Sequence, residues 1–213
     1  MIPTFADLVP RKTVERLSEY RRSLISCNAH GITHIHSHTM AQIHGITAVQ
    51  VRRDLMLIGF SSDSKKGYDV NELIAHISSV LDSPEDMNIA IIGMGRLGQA
   101  INLFFNGKRQ KLHIVAAFDV DPTKVGTTID NTPCYHINTL TEVVEQKKIS
   151  IAIITSPMHV APELVEPIVE AGIKGVVNFT TVPLNFPEHV ISENDDVTAV
   201  VEKVAYFVKE LNK

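Results

Sequence analysis

The chain has no tryptophan, only two cysteines and only four tyrosines among its 213 residues. Cys27 and Cys134 match no zinc-ligand spacing, and two such distant thiols point to reduced side chains rather than a disulfide scaffold. No run of about 18 consecutive apolar residues occurs, which excludes a membrane-spanning helix. The N-terminus also lacks the basic and then apolar block of a secretory signal, so a cytoplasmic protein is expected. A strong excess of one charge is missing too, and the net charge of −4 gives no hint of nucleic acid. What is present is a 44% hydrophobic content. That is enough for a core in one or two domains without metal or disulfide support.

Dividing the chain near Ser83-Pro84 changes the meaning of the charge. The first part holds nine Lys+Arg against eight Asp+Glu, and the second eleven against sixteen, so +1 stands beside −5. Six of the ten histidines also fall in the first part. Such asymmetry fits a module that faces nucleic acid beside an acidic one.

In the first part, Pro10 opens an amphipathic helix of about 18 residues whose apolar face is read from Val14, Leu17, Leu24 and Ile25, with Gly31 as its stop. Ser37 is the expected N-cap of a helix from 38 to 44, broken by Gly45. Thr47 caps the next, which runs through Val49, Val51, Leu55 and Ile58 to Gly59. Helix, glycine turn and helix is the helix-turn-helix layout. Thr47, Gln50, Arg52 and Arg53 are then expected to meet DNA, because arginine can donate twice to guanine, glutamine can pair with adenine, and a helix N-terminus suits phosphate. The polar stretch that follows carries Lys65 and Lys66 and is expected to form a basic wing. His34, His36 and His38 alternate, yet no Cys or Glu joins them at ligand spacing, so no metal is expected.

In the second part, an apolar strand ending at Ile92 runs straight into Gly93-Met94-Gly95-Arg96-Leu97-Gly98 and then a helix. This is G-x-G-x-x-G in its strand, turn, helix context: one glycine for the turn, one for approach of a pyrophosphate, one for helix packing. Asp119 ends the next strand, 21 residues after Gly98. A carboxylate there can accept both ribose hydroxyls of NAD and repels a 2′-phosphate. Further strands end at Thr155-Ser156-Pro157 and Asn178-Phe179-Thr180, with a helix expected over 161–171 between them. Strands alternating with helices mean a Rossmann-type, doubly wound parallel sheet whose ligands sit at the carboxyl ends of the strands, so Thr155, Pro157, Asn178 and Thr180 join the expected NAD(H) site. No proton-transfer apparatus stands out: His159 lacks an orienting carboxylate, and a sheet domain of about 100 residues leaves no room for a substrate domain. A non-enzymatic sensor is expected. The alternative is a small nucleotide- or CoA-binding enzyme or subunit with an N-terminal oligomerisation module. The tail, from Val197 onward, is an apolar-periodic helix.

The ordered set of these residues resembles the Rex family of redox-sensing transcriptional repressors. The likeness is carried by Val9-Pro10, Arg16-Leu17, Tyr20-Arg21, Val51-Arg52-Arg53-Asp54 with Gly59, and Gly67-Tyr68 with Val70. It continues through the glycine motif, Ala117-Phe118-Asp119, Lys124-Val125-Gly126, Ala171-Gly172-Ile173-Lys174-Gly175, Asn178-Phe179-Thr180, Pro187-Glu188 and Tyr206-Phe207. It implies a homodimer with a winged-helix DNA-binding domain over 1–83, an NAD(H)-binding Rossmann domain over 84–195 and a C-terminal dimerisation helix over 196–213, exchanged between subunits. It also implies an operator-bound repressor released by NADH. The family's switch joins an arginine, a tyrosine and an aspartate. Arg16 and Asp196 match the first and third, whereas Phe104 replaces the tyrosine and Val200 an acidic residue. The segment from Leu57 to Ser64 also departs from the family's aromatic and glycine-rich wing.

Overall fold

The computed structural model describes residues 9–62, 65–105 and 111–211. Asp63 and Ser64 of the expected wing lie outside them. Contacts divide the chain into one unit up to Pro84 and another from Glu85.

The first unit runs α1 (Arg11–Ala29), β1 (His34–Ile35), α2 (Ser37–His44), α3 (Ala48–Leu57), β2 (Tyr68–Asp69) and α4 (Val70–Leu81). α1 starts after Pro10, whose fixed φ and missing N–H suit a helix start. Its buried face is Thr13, Leu17, Tyr20 and Leu24, whereas Val14 and Ile25, expected inside, are 39% and 51% exposed. The face is rotated because Thr13 and Tyr20 both turn inward to bond the buried Asp54. Ser37 is not the N-cap of α2: the helix already includes it, His36 holds the cap position without a side-chain bond, and the Ser37 hydroxyl accepts from Arg52. Gly45, at φ 63°, takes the left-handed turn that ends α2, and the Thr47 hydroxyl then caps α3 by accepting from the Gln50 amide at 3.1 Å.

β1 and β2 pair antiparallel, His34 with Asp69 and Ile35 with Tyr68, forming a small wing base from which Asp69 caps α4. Leu17, Tyr20, Leu24, Met40, Val51, Leu55, Leu73 and Ile77 close the core between α1, α2, α3 and α4. This is a winged helix-turn-helix.

The second unit is a seven-stranded sheet ordered β5-β6-β4-β3-β7-β8-β9. Its strands are β3 (Met87–Ile92), β4 (Leu112–Asp119), β5 (Thr128–Ile129), β6 (Thr132–His136), β7 (Ile149–Ile154), β8 (Gly175–Asn178) and β9 (Ile191–Asn194). All pairings are parallel except β5 with β6. The helices are α5 (Arg96–Phe105), α6 (Leu140–Lys147), α7 (Val165–Glu170) and α8 (Val197–Leu211). β3 has β4 on one side and β7 on the other, so chain order reverses at its carboxyl end, the place where doubly wound sheets bind ligands.

The helix expected over 161–171 is broken: residues Ala161–Leu164 form a 3-10 turn before the short α7. Pro167 has no amide to donate across the junction, and that interrupts the helical ladder. β6 and β9 carry no strand periodicity, whereas α6, absent from the sequence expectations, buries Leu140, Val143 and Val144 at helical spacing. Pro133 interrupts the strand pattern of β6, and β9 is an exposed polar edge, Ile191-Ser192-Glu193-Asn194.

Candidate functional site

The turn after β3 is built from its glycines. Gly93 has φ 98°, and a Cβ on it would meet Ser156 at 2.8 Å. A Cβ on Gly98 would collide with the Gly93 carbonyl. Around Gly95, by contrast, nothing lies within 4 Å of a Cβ position, so its backbone faces open space. The turn is stitched to the end of β7, where the Thr155 hydroxyl donates to the Gly93 carbonyl and the Ser156 hydroxyl to that of Ile92. Arg96 and Leu97 are exposed at the first turn of α5, and Met94 is buried. An exposed helix N-terminus behind an open glycine is the arrangement that receives a pyrophosphate.

Asp119, expected to meet the ribose, is bonded within the protein through both carboxylate oxygens. Its Oδ2 accepts from the Met94 amide at 2.8 Å and from Lys124 at 3.0 Å. Its Oδ1 accepts from the amides of Val120 at 2.8 Å and Asp121 at 3.0 Å. Four donors meet the carboxylate, and together they tie the glycine turn to the end of β4. Burial opposes its ionisation, but the Asp121 amide, Lys124 and the Met94 amide outweigh burial and hold its pKa below the usual range. Lys124 is raised in turn by its bond to Asp119. Asp119 is recognisable from its position at the end of a strand, whereas spacing gives Lys124 no partner, and only the fold pairs the two.

Asn178 and Thr180, expected at the NAD(H) site, are bonded to each other and to the loop after β8. Asn178 is 1% exposed, and its amide nitrogen donates to the Val182 carbonyl and to Asn194, both at 2.8 Å. The Thr180 hydroxyl donates to Asn178 Oδ1 at 2.7 Å. Both are consumed in clamping the loop after β8. Pro157 is exposed beyond β7, and its carbonyl accepts from the amides of Val160 and Ala161.

On the first unit, Thr47, Arg52 and Arg53 lie exposed along α3, and Lys65 and Lys66 are exposed before β2. Arg52 is oriented by the Ser37 hydroxyl at 3.1 Å. The amide nitrogen of Gln50, expected to meet adenine, here turns inward and donates to Asp54 at 2.9 Å.

Asp54 is fully buried and central. Arg16 reaches it with Nε and Nη2, both at 2.7 Å, Tyr20 at 2.9 Å and Thr13 at 3.3 Å. Burial works against its charge, yet the bonds from Arg16, Tyr20 and Gln50 prevail and lower its pKa. Burial, followed by the bond to Asp54, pushes the Tyr20 phenol up. The place of Asp54 between Val51 and Leu55 on the buried stripe of α3 is the sequence signal for its burial.

The three residues matched to a switch are dispersed over both units. Arg16 is held by Asp54 in the first. In the second, Phe104 is 67% exposed on α5, and Asp196 caps α8 by accepting from the Thr198 amide at 2.8 Å. Among the described residues, no group of three or more His, Cys, Asp or Glu is placed to hold a metal, and no helix is long and apolar enough to cross a membrane.

Comparison with known proteins places both units. Residues 8–55 match the family described as putative DNA-binding protein N-terminus, and residues 84–182 the family described as CoA binding domain. The redox-sensing transcriptional repressor Rex of Leuconostoc citreum is 38% identical over 200 residues, 94% of this chain and 93% of the relative. That of Anoxybacillus flavithermus is 34% identical over 201 residues, 94% of each. Among solved structures, the Rex-family repressor RSP with β-NAD+ and operator DNA is 29% identical, with a TM-score of 0.88 over 96% of this chain and 94% of that one. The same repressor with β-NADH superposes at 0.85 over 96% of both.

Proposed function

The chain belongs to the Rex family of redox-sensing transcriptional repressors, and from that premise we propose that it binds operator DNA through α3 and releases it when NADH occupies the glycine turn. The observation that carries this reading is that one relative, aligned over 96% of this chain, is solved both with operator DNA and β-NAD+ and with β-NADH. Both surfaces needed are present here: a helix with two outward arginines, and a turn whose Gly95 backbone is open. The protein is a regulator rather than an enzyme, working where the DNA is, in the cytoplasm.

We assign residues 1–83 to DNA binding, 84–195 to NAD(H) and 196–213 to dimerisation. Gly93, Gly95 and Gly98, with Met94, Arg96 and Leu97, would hold the pyrophosphate. Asp119 would act by fixing the turn, and Thr155 and Pro157 would border the cofactor. Asn178 and Thr180 would shape the far wall. Thr47, Arg52, Arg53, Lys65 and Lys66 would meet the duplex, Gln50 serving chiefly to hold Asp54.

A homodimer with exchanged α8 helices would read a two-fold operator. Arg16, Phe104 and Asp196 would form the coupling, with Phe104 contributing packing where a hydroxyl is absent. The coupling requires that NADH bind one domain arrangement more tightly than the other, because equal affinity shifts nothing. Operator DNA must then weaken NADH binding by the same factor.

The test is a gel-shift titration of the full chain on genomic fragments with NADH, NAD+ and NADPH in parallel. Binding weakened by NADH and little changed by NADPH is expected; identical binding with and without saturating NADH would refute redox sensing.

A further inference from the structure

The exposed face of α3 is not uniformly polar. Val49, Arg52, Arg53 and Met56 recur at helical spacing on the side opposite the buried Val51, Asp54 and Leu55. Val49 is 60% and Met56 72% exposed, and with Leu57 and the two arginines they line a shallow groove of about 430 Å³. The apolar ends therefore flank a cationic centre. A surface of this kind does not suit a protein partner with an apolar patch, since two arginines would be buried unpaired. It suits a polyanion that carries small apolar features.

The major groove of DNA is such a partner. Its floor presents guanine acceptors for arginine and one apolar group, the C5-methyl of thymine. We propose that Val49 and Met56 are specificity-determining residues that read thymine methyl groups on either side of the base pairs contacted by Arg52 and Arg53. This rests on the DNA-binding reading of α3. Seven helical steps carry the chain from Val49 to Met56, about 10 Å along the axis or roughly three base steps. The Ser37 hydroxyl holds Arg52 at 3.1 Å and so keeps the cationic centre in place between the two apolar ends.

The experiment is site selection by the full chain from a random duplex library, followed by gel shifts in which each thymine of the selected site is replaced in turn by deoxyuridine. Uracil keeps the pairing edge and lacks only the methyl. Affinity is expected to fall about fourfold at two thymines per half-site, the effect of one buried methyl. Val49→Ala should erase one penalty and Met56→Ala the other, whereas Met56→Leu should keep it. Both positions are exposed, and circular dichroism of the variants verifies the fold.

Uracil substitution without effect at every thymine, or penalties that persist in both alanine variants, would overturn the proposal. If the full chain selects no site at all, the DNA-binding reading falls and takes this inference with it.

Discussion

Arg16 on the first helix grips Asp54 on the recognition helix in a two-pronged ion pair, Nε to Oδ2 and Nη2 to Oδ1, each 2.7 Å. Asp54 is fully buried, so loss of its partner leaves a charge without compensation, the costly way to break such a pair. Arg16→Met is expected to destabilise the DNA-binding unit by about 3 kcal/mol, and Tyr20→Phe by about 1 kcal/mol, both read from urea unfolding of the full chain. The folded carboxyl lies below its ordinary value, so this stabilisation is present above about pH 4 and lost as pH falls through the folded pKa. An Arg16→Met midpoint equal to wild type would show the pair to be idle.

The glycine turn gives a second expectation. Gly98→Ala forces a Cβ against the Gly93 carbonyl, and backbone cannot swing aside as a flexible side chain would. The variant should keep DNA binding and lose its response to NADH. Asp119→Asn turns an amide donor toward groups that all donate to Asp119, and should weaken NADH binding about tenfold. It should not raise NADPH above NADH, because the carboxylate acts through the turn. Calorimetry with both nucleotides measures this, and a switch of preference to NADPH would restore the direct ribose role.

The parts legible in the sequence were those where one residue type has one physical use. Gly45, Gly59 and Gly93 all take positive φ, as their places at helix ends and strand exits required. Thr47 caps α3 as its position predicts. Polar residues were harder, because sequence does not say which way a polar side chain faces. Gln50, Asn178 and Thr180 are expected to meet ligands, and the fold adds a second demand on them, since Gln50 bonds the buried Asp54 and Thr180 bonds the buried Asn178, a requirement that appears only once the chain is folded. The buried face of α1 departs from its apolar stripe for the same reason, since Thr13 and Tyr20 are drawn inward by Asp54.

His44 should make the first unit sensitive to pH. Its side chain is 10% exposed, bonded through Nε2 to the Ser23 hydroxyl at 2.9 Å, edge-on to the Tyr20 ring, with Glu19 at 3.9 Å. Burial lowers its pKa, Glu19 pulls it up and Arg22 pushes it down, leaving it below the usual value. The folded chain thus takes a proton less readily than the unfolded one. Its contribution is fully present above about pH 6.5 and declines as pH falls toward the folded pKa. His44→Gln should flatten the slope of unfolding midpoint against pH between 7 and 5; an unchanged slope would remove His44 as its source.

The last helix carries the dimer expectation. No residue of α8 is buried, although it presents Val200, Val201, Val204, Phe207 and Val208, with Phe207 61% and Leu211 86% exposed. A helix of 15 residues is marginal in water alone, and such an apolar face seeks cover. Val204→Glu combined with Phe207→Glu should convert a dimer into monomers in sedimentation experiments. Because α8 adds nothing to the sheet core, the variant should still unfold cooperatively. Affinity for a two-fold operator should fall about a hundredfold or more, since two half-sites are no longer held by one particle. A variant that sediments as a dimer would place the subunit interface elsewhere.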